Sequence, residues 1–208
     1  PASVTDPLTT PYIATVSNPA SLHSTSARLD HRVNDRLQLF GRLSTTPSEN
    51  RERAKYCATS CVSVTSVDVQ TYTGGATWTI SPRILNDVRL NYSRSRTKLF
   101  YDMDNFGGAV SPSMATLYPS FTNRDKGYAY IEVDPAGDNT LSDGLFVNNT
   151  QRQWNLVETL SFQPGRHSFK FGFDWRRLNP YSDSGSYRRQ FRYANIGQLA
   201  ADLAPTGA

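Results

Sequence analysis

"RHSFKFGFDWRRL", Arg166 to Leu178, sets Phe169, Phe171, Phe173 and Trp175 on one side of an extended chain and Ser168, Lys170, Gly172 and Asp174 on the other. A strict period of two makes a strand with one apolar and one polar surface. The fold turns on what the aromatic surface meets, a protein core or the hydrocarbon of a membrane. The preceding stretch, "QRQWNLVETLSF" (Gln151 to Phe162), holds Trp154, Leu156, Leu160 and Phe162 on one parity, with Glu158 interrupting them, and "QPGRH" supplies the turn between the two.

Two earlier hairpins repeat the pattern. "SARLDHRV" (Ser26 to Val33) alternates Leu29, His31 and Val33 against Arg28, Asp30 and Arg32. Asn34-Asp35 predicts a two-residue turn, and "RLQLFGRLS" follows with Leu37, Leu39 and Leu43 on one face. "SVDVQTYTGGATWTI" (Ser66 to Ile80) aligns Tyr72, Ala76, Trp78 and Ile80, with Gly74-Gly75 read as a bulge. After Ser81-Pro82, "RILNDVRLNYSRSRTKLF" returns with Ile84, Val88, Leu90 and Tyr92 on one face and turns polar at Arg94, Arg96 and Lys98. Its apolar part is close to the roughly 9–11 residues in which a tilted strand crosses a bilayer.

Between hairpins the chain is rich in Ser, Thr, Asn, Asp, Gly and Pro, over 45–65 and again over 99–150. Long structureless loops are rare in compact soluble domains. Short turns at one end and long loops at the other are the asymmetry of outer-membrane barrels. The expected fold is therefore all-β: antiparallel up-and-down hairpins over 26–194, part of a transmembrane outer-membrane β-barrel. Residues 1–25 read as an approach segment or the upper part of a strand, and "SYRRQFRY" (Ser186 to Tyr193) as a seventh strand. Residues 195–208 read as a short helical loop element, with Ile196, Leu199 and Leu203 at helical spacing and Asn195 as its cap.

Composition agrees. Hydrophobic residues make up 38% and aromatics 12% of the 208 residues, and mean hydropathy is -0.52, as expected where only alternate positions are apolar. No run approaches 18 apolar residues, which excludes a transmembrane helix. "PASVTDPLTT" has neither the basic start nor the apolar run of a secretory signal. A start without Met and an end in "LAPTGA" are expected of an internal piece of a longer chain. The net charge of +4 and a pI near 9.2 raise nucleic acid as a partner, but the three arginines of "SYRRQFRY" are a single short run, so none is expected.

His23, His31 and His167 have no nucleophile and acid arranged around them, so no enzyme activity is expected. "DPAGDNTLSDG", with Asp134, Asp138 and Asp143, lacks the spacing of a calcium loop and reads as flexible surface, as does "DMDN" (Asp102 to Asn105). No metal or other cofactor is expected. Cys57 and Cys61 in "CATSC" lack the spacing of a redox pair or zinc site. In an oxidising compartment they form a loop disulfide, the alternative being two free thiols. Trp78, Tyr92, Trp154 and Trp175 read as interface aromatics, and Phe169, Phe171 and Phe173 as lipid-facing. Arg89, Lys170, Asp174 and Arg176 then face the lumen.

"ARLDHRVNDRLQLFGRLS", "ATWTISPRILNDVRLNYSR" and "QWNLVETLSFQPGRHSFKFGFDWRRL" resemble, in order and at similar spacing, consecutive hairpins of Oar-like TonB-dependent outer-membrane receptors, and "YANIGQLAADLAP" resembles the helical element that follows. The resemblance covers roughly residues 26 to 204. It implies a barrel of about 22 strands filled by a plug and energised by TonB, both contacts lying in parts not present here. The implied function is movement of a bulky ligand across the bacterial outer membrane, with outer-membrane lipid, plug, TonB and an unknown ligand as partners. "YDMDNFGG" (Tyr101 to Gly108) and "SYRRQFRY" are the candidate ligand contacts. The alternative is a soluble β-sandwich module binding carbohydrate or a cell-surface partner.

Overall fold

The computed structural model describes residues 13–55, 57–133, 140–185 and 187–203. Among them, nine strands form one sheet: β1 (Ala20–Leu22), β2 (Thr25–Arg32), β3 (Leu37–Arg53), β4 (Cys61–Ser81), β5 (Ile84–Met103), β6 (Gly127–Val133), β7 (Leu141–Phe162), β8 (Phe169–Tyr181) and β9 (Tyr187–Tyr193). β2 to β5, β7 and β8 pair antiparallel in meander order. The fold is all-β, and it has one sheet rather than the two packed layers a sandwich requires. The sheet is open, with β2 and β8 as its edges at the short-turn end.

The register makes the two surfaces explicit, because partnered residues share a face. One row across the sheet reads Leu43, Tyr72, Tyr92 and Trp154, ending at Arg177. The next reads Leu29, Gly41, Gly74, Leu90, Leu156 and Trp175. Nearer the short turns lie Leu37 with Trp78, Leu160 with Phe171, and Phe162 with Phe169. The opposite face carries Asp30, Arg42, Thr73, Asn91, Asn155 and Arg176, among others. Leu85, Val157 and Leu178 are apolar positions there, and Phe40 is its large aromatic. Its ring lies under the Arg28 guanidinium, 4.4 Å away, in the space that Gly75 leaves free.

Several elements differ from the expectations above. The strands run far beyond the apolar band: β4 has 21 residues, β5 has 20 and β7 has 22. Much of 45–65 and 99–150 is therefore ladder rather than loop. Runs such as "SVTSVDVQT" are β-branched and pair well, but with both faces in water they show no apolar alternation. Gly74-Gly75 is no bulge, since pairing is continuous through both. The register shift lies between Thr79 and Ser81. The β2–β3 connection spans 33–36, not two residues, and the Asn34 carboxamide oxygen accepts the N–H groups of Arg36 and Leu37, both at 2.9 Å. β9 is not a seventh meander strand. It pairs parallel with β6, which in turn pairs with the start of β7. β1, Ala20–Leu22, pairs with the far end of β3. α2 (Ile196–Leu203) follows β9, and the Asn195 side chain accepts the Gln198 N–H at 2.9 Å.

The buried residues cluster at the end away from the short turns. Cys57, Cys61, Tyr101 and Tyr128 form one group. Leu117, at the end of the one-turn helix α1 (Met114–Leu117), packs with Tyr118, Ala129 and Ile131 in another. This end is a small capped domain on the tips of long strands. Gly144 sits within it at φ +92, and a Cβ there would overlap the Tyr118 hydroxyl and the Gly127 carbonyl. Gly144→Ala is expected to destabilise the cap by at least about 1 kcal/mol, seen as faster hydrogen exchange in β6 and β7. Gly41→Ala, whose Cβ meets open space, should leave exchange unchanged.

Candidate functional site: an apolar band and an ordered cap

Two surfaces can do something beyond holding the sheet together. The first is the apolar face. Phe169, Phe171, Phe173 and Trp175 on β8, Trp154 on β7, and Tyr72 and Trp78 on β4 are each between 43% and 60% exposed. Tyr92 is half-buried between Tyr72 and Trp154, its ring centroid 4.7 Å from the indole. The aromatic row ends one side of the band. Beyond it the same parity turns to Thr45, Gln70, Arg94 and Arg152. Trp78 and Phe169 lie near the other side, beside the short turns.

Glu158 faces the same band, and the Asn86 carboxamide on β5 donates to its carboxylate. Glu158 and Asn86 thus satisfy one another, which lowers the cost of placing them in an apolar surround. Gly41 and Gly74 floor a trough of roughly 730 Å³ lined by Leu29, Leu43, Tyr72, Leu90, Tyr92 and Trp154. An apolar surface of this extent is far larger than water-exposed monomers carry. Its height, Ile84 to Tyr92 on β5, approximates one membrane crossing.

The second surface is the cap, organised around two ion-pair centres. Asp143 is 1% exposed. Its carboxylate accepts from the Tyr118 hydroxyl at 2.9 Å and from Arg124 at 2.7 Å, and Arg124 also reaches Asp102 at 2.6 Å. Burial pushes the Asp143 carboxyl above the usual carboxylate range, a shift only partly offset by Tyr118 and Arg124. Burial and the neighbouring Asp143 charge also raise the Tyr118 phenol far above its ordinary value. The phenol is therefore a fixed donor, not a proton carrier.

At the second centre, Arg53 at the tip of β3 forks onto Asp104, with one bond at 2.9 Å, and stacks over Phe106 at 4.4 Å. It also donates to the Thr59 carbonyl at 2.9 Å. One guanidinium thus ties three segments of the cap together. The hydrogen bond from Arg53 holds the Asp104 carboxyl below its ordinary value. Cys57 and Cys61 form a disulfide. The bond is not on a polar, open loop as its surroundings in sequence suggest: the two residues are 5% and 0% exposed, packed by Tyr101 and Tyr128.

The candidate ligand contacts prove to be occupied within the cap. In "YDMDNFGG", Tyr101 is buried, Asp102 pairs with Arg124, and Asp104 and Phe106 hold Arg53. In "SYRRQFRY", Arg188 lies over Phe146 at 4.8 Å and Arg189 over Phe191 at 4.3 Å. Asp143 belongs to a core ion pair and strand β7, not a flexible surface loop, while Asp134 and Asp138 lie outside the described residues. No carboxylate, histidine or cysteine group suited to a metal occurs among the described residues. Exposed apolar side chains at this end include Val110, Met114 and Phe121, at 93%, 42% and 78%, together with Leu22 beside the outer part of β3, and Ile13 is exposed ahead of β1 in the chain. Val110, Met114 and Phe121 lie in an irregular stretch without periodicity, so nothing in the sequence pattern marked them.

A one-sheet wall with an apolar band, an aromatic margin, short turns on one side and a capped extension on the other is the wall of a membrane β-barrel. The chain belongs to the family of outer membrane beta barrel domains, which it matches over residues 1–204. That membership places it in the bacterial outer membrane, and short turns at one end with a capped extension at the other match the asymmetry of such barrels. No curated protein matches the chain.

Two outcomes follow. In brominated lipid, the fluorescence of Trp78, Trp154 and Trp175 should be quenched, whereas soluble iodide should quench them little. The Arg53 centre should loosen in acid: the folded-state pKa of Asp104 lies below its unfolded value, so its contribution is complete above roughly pH 4 and fades as pH falls through the lower folded value, while the raised carboxyl of Asp143 has the opposite sign and keeps the effect local. Asp104→Asn should reproduce the loosened state at neutral pH, read as protease cleavage within 104–113.

Proposed function

We propose that this chain is an internal run of strands and external loops from a TonB-dependent transporter of the Oar-like kind, moving a bulky ligand across the outer membrane. Further strands close the β2 and β8 edges, since hydrocarbon cannot satisfy unpaired backbone groups. A plug and TonB act through parts of the protein outside this chain. The role is binding and passage, with no chemical step and no nucleic acid.

One observation carries the reading: β4, β5 and β7 continue well past the apolar band and end in a cap with its own core and ion pairs. A wall that only anchors itself needs no such superstructure. The polar face supports passage, with Arg89 bound to Asp87 at 3.0 Å and Arg176 to Asp174 at 2.8 Å. These pairs keep charge on the inner surface while limiting its net field. Ligand is first met at Val110, Met114 and Phe121, beside a hollow of roughly 490 Å³ lined by Met114, Tyr118 and Pro119. Large exposed apolar groups on an otherwise polar external surface are the feature expected of a contact site.

The full-length protein in planar bilayers tests this directly. A plugged, TonB-driven barrel shows no steady conductance, whereas stable open-pore currents would overturn the proposal. In cells, loss of the gene and loss of TonB should abolish transport of the same extracellular material. Val110→Asp with Phe121→Ala should lower that transport several-fold while leaving barrel assembly, measured by heat-modifiable mobility, intact.

A further inference from the structure

The outward face carries a group of arginines immediately beyond its aromatic margin, four cations with a single carboxylate, Asp68, beside them. Arg152 on β7 is the register partner of Arg94 on β5, two residues and so one same-face row outside the Tyr92–Trp154 pair. Arg177 on β8 partners Trp154, which makes it a diagonal neighbour of Arg152 on the other side. Arg96, opposite Thr150, is the remaining diagonal neighbour. Directly opposed residues stand about 5 Å apart at Cβ and diagonal ones about 7–8 Å, and like charges so placed repel.

Asp68, opposite Arg96 and diagonal to Arg94, is the one carboxylate near the group on this face among the described residues, and it bonds to none of the arginines. Among the described residues, Arg94, Arg152 and Arg177 have no carboxylate partner, and Arg96 is bonded only to the neutral Asn148 carboxamide, at 2.9 Å. The buried Nε of Arg94 has no hydrogen-bond partner among them. Asp68, which faces Arg96 across β4–β5, accepts a hydrogen bond from Gln70 at 3.1 Å. On the opposite face, several arginines are matched: Arg28 with Asp30, Arg89 with Asp87, and Arg176 with Asp174. The outward group sits where lipid headgroups begin, at the level set by Tyr72, Tyr92 and Trp154.

We propose that Arg94, Arg152 and Arg177 form a site for the phosphate of an anionic outer-leaflet lipid, whose acyl chain lies against the trough floored by Gly41 and Gly74. Guanidinium forks match phosphate oxygens in geometry and charge, and a bound phosphate converts the repulsion between opposed arginines into shared attraction. The trough begins directly beneath Tyr92 and Trp154, so a single molecule can use both surfaces. A free anion would use only the first.

The full-length protein, reconstituted in nanodiscs of zwitterionic phospholipid doped with bis-phosphorylated lipid A or its dephosphorylated form, supplies the test. Native mass spectrometry counts the lipid kept after loosely held lipid is stripped. Retention of the phosphorylated form should exceed the other by about tenfold or more, as one or two charge-assisted hydrogen bonds imply. Arg94→Gln, Arg152→Gln and Arg177→Gln together should remove that preference. Arg36→Gln, Arg83→Gln and Arg166→Gln, at the short-turn end, should preserve it. Equal retention of the two lipids by the unaltered protein overturns the proposal without recourse to any variant. Full displacement by inorganic phosphate also overturns it, because the site would then be one for free anions.

Discussion

Hydrocarbon offers the backbone no hydrogen-bond partner, so a chain that crosses it as strands must pair every N–H and C=O with a neighbour. From that requirement come the long ladders, and from the ladders comes a fixed register. Register then sorts side chains: because the period is two, a one-residue slip in any strand would turn its aromatics inward and its arginines to lipid. Rows such as Leu43, Tyr72, Tyr92 and Trp154 exist only because four strands hold their offsets together. Glu158 shows the same discipline from the other side, since its place in the band is tolerated through Asn86 on the adjoining strand.

Above the membrane the rules change, and so does the kind of order. Water reaches both faces, which leaves alternation without a driving force, and the cap is organised instead by buried polar groups that must find partners. Asp143 draws Tyr118 and Arg124 around it. Arg53 gathers the ends of β3, the disulfide loop and the turn after β5. Such centres are costly to leave half-satisfied, so they specify one arrangement of loops more sharply than they stabilise it.

The difference decides what could be read from the chain. Alternation in "SFKFGFDW" and "QWNLVETLSF" marks its faces directly, so the barrel strands and the apolar band are legible, whereas the first turn is longer than its two-residue reading because Asn34 caps it. The cap is not. "SVTSVDVQT" forms strand without alternating, and the parallel partnership of β6 with β9 joins segments separated by a whole hairpin. Asp143 resembles a surface ion ligand until Arg124 is set beside it. Val110 and Phe121 stand out only once the rest of the cap has buried its apolar side chains.

The β6–β9 pairing also governs the sequence of events in assembly. β6 precedes the β7–β8 hairpin and β9 follows it, so the two can meet only after that hairpin has risen from its turn and come back level with the cap. Contacts between such distant segments form late, when loop closure has already been met by others. A β8 displaced along β7 by one residue would deliver β9 out of step with β6. The parallel pair therefore ties the packing of the cap to the wall beneath it, since β9 reaches β6 from the end of a β8 paired along β7.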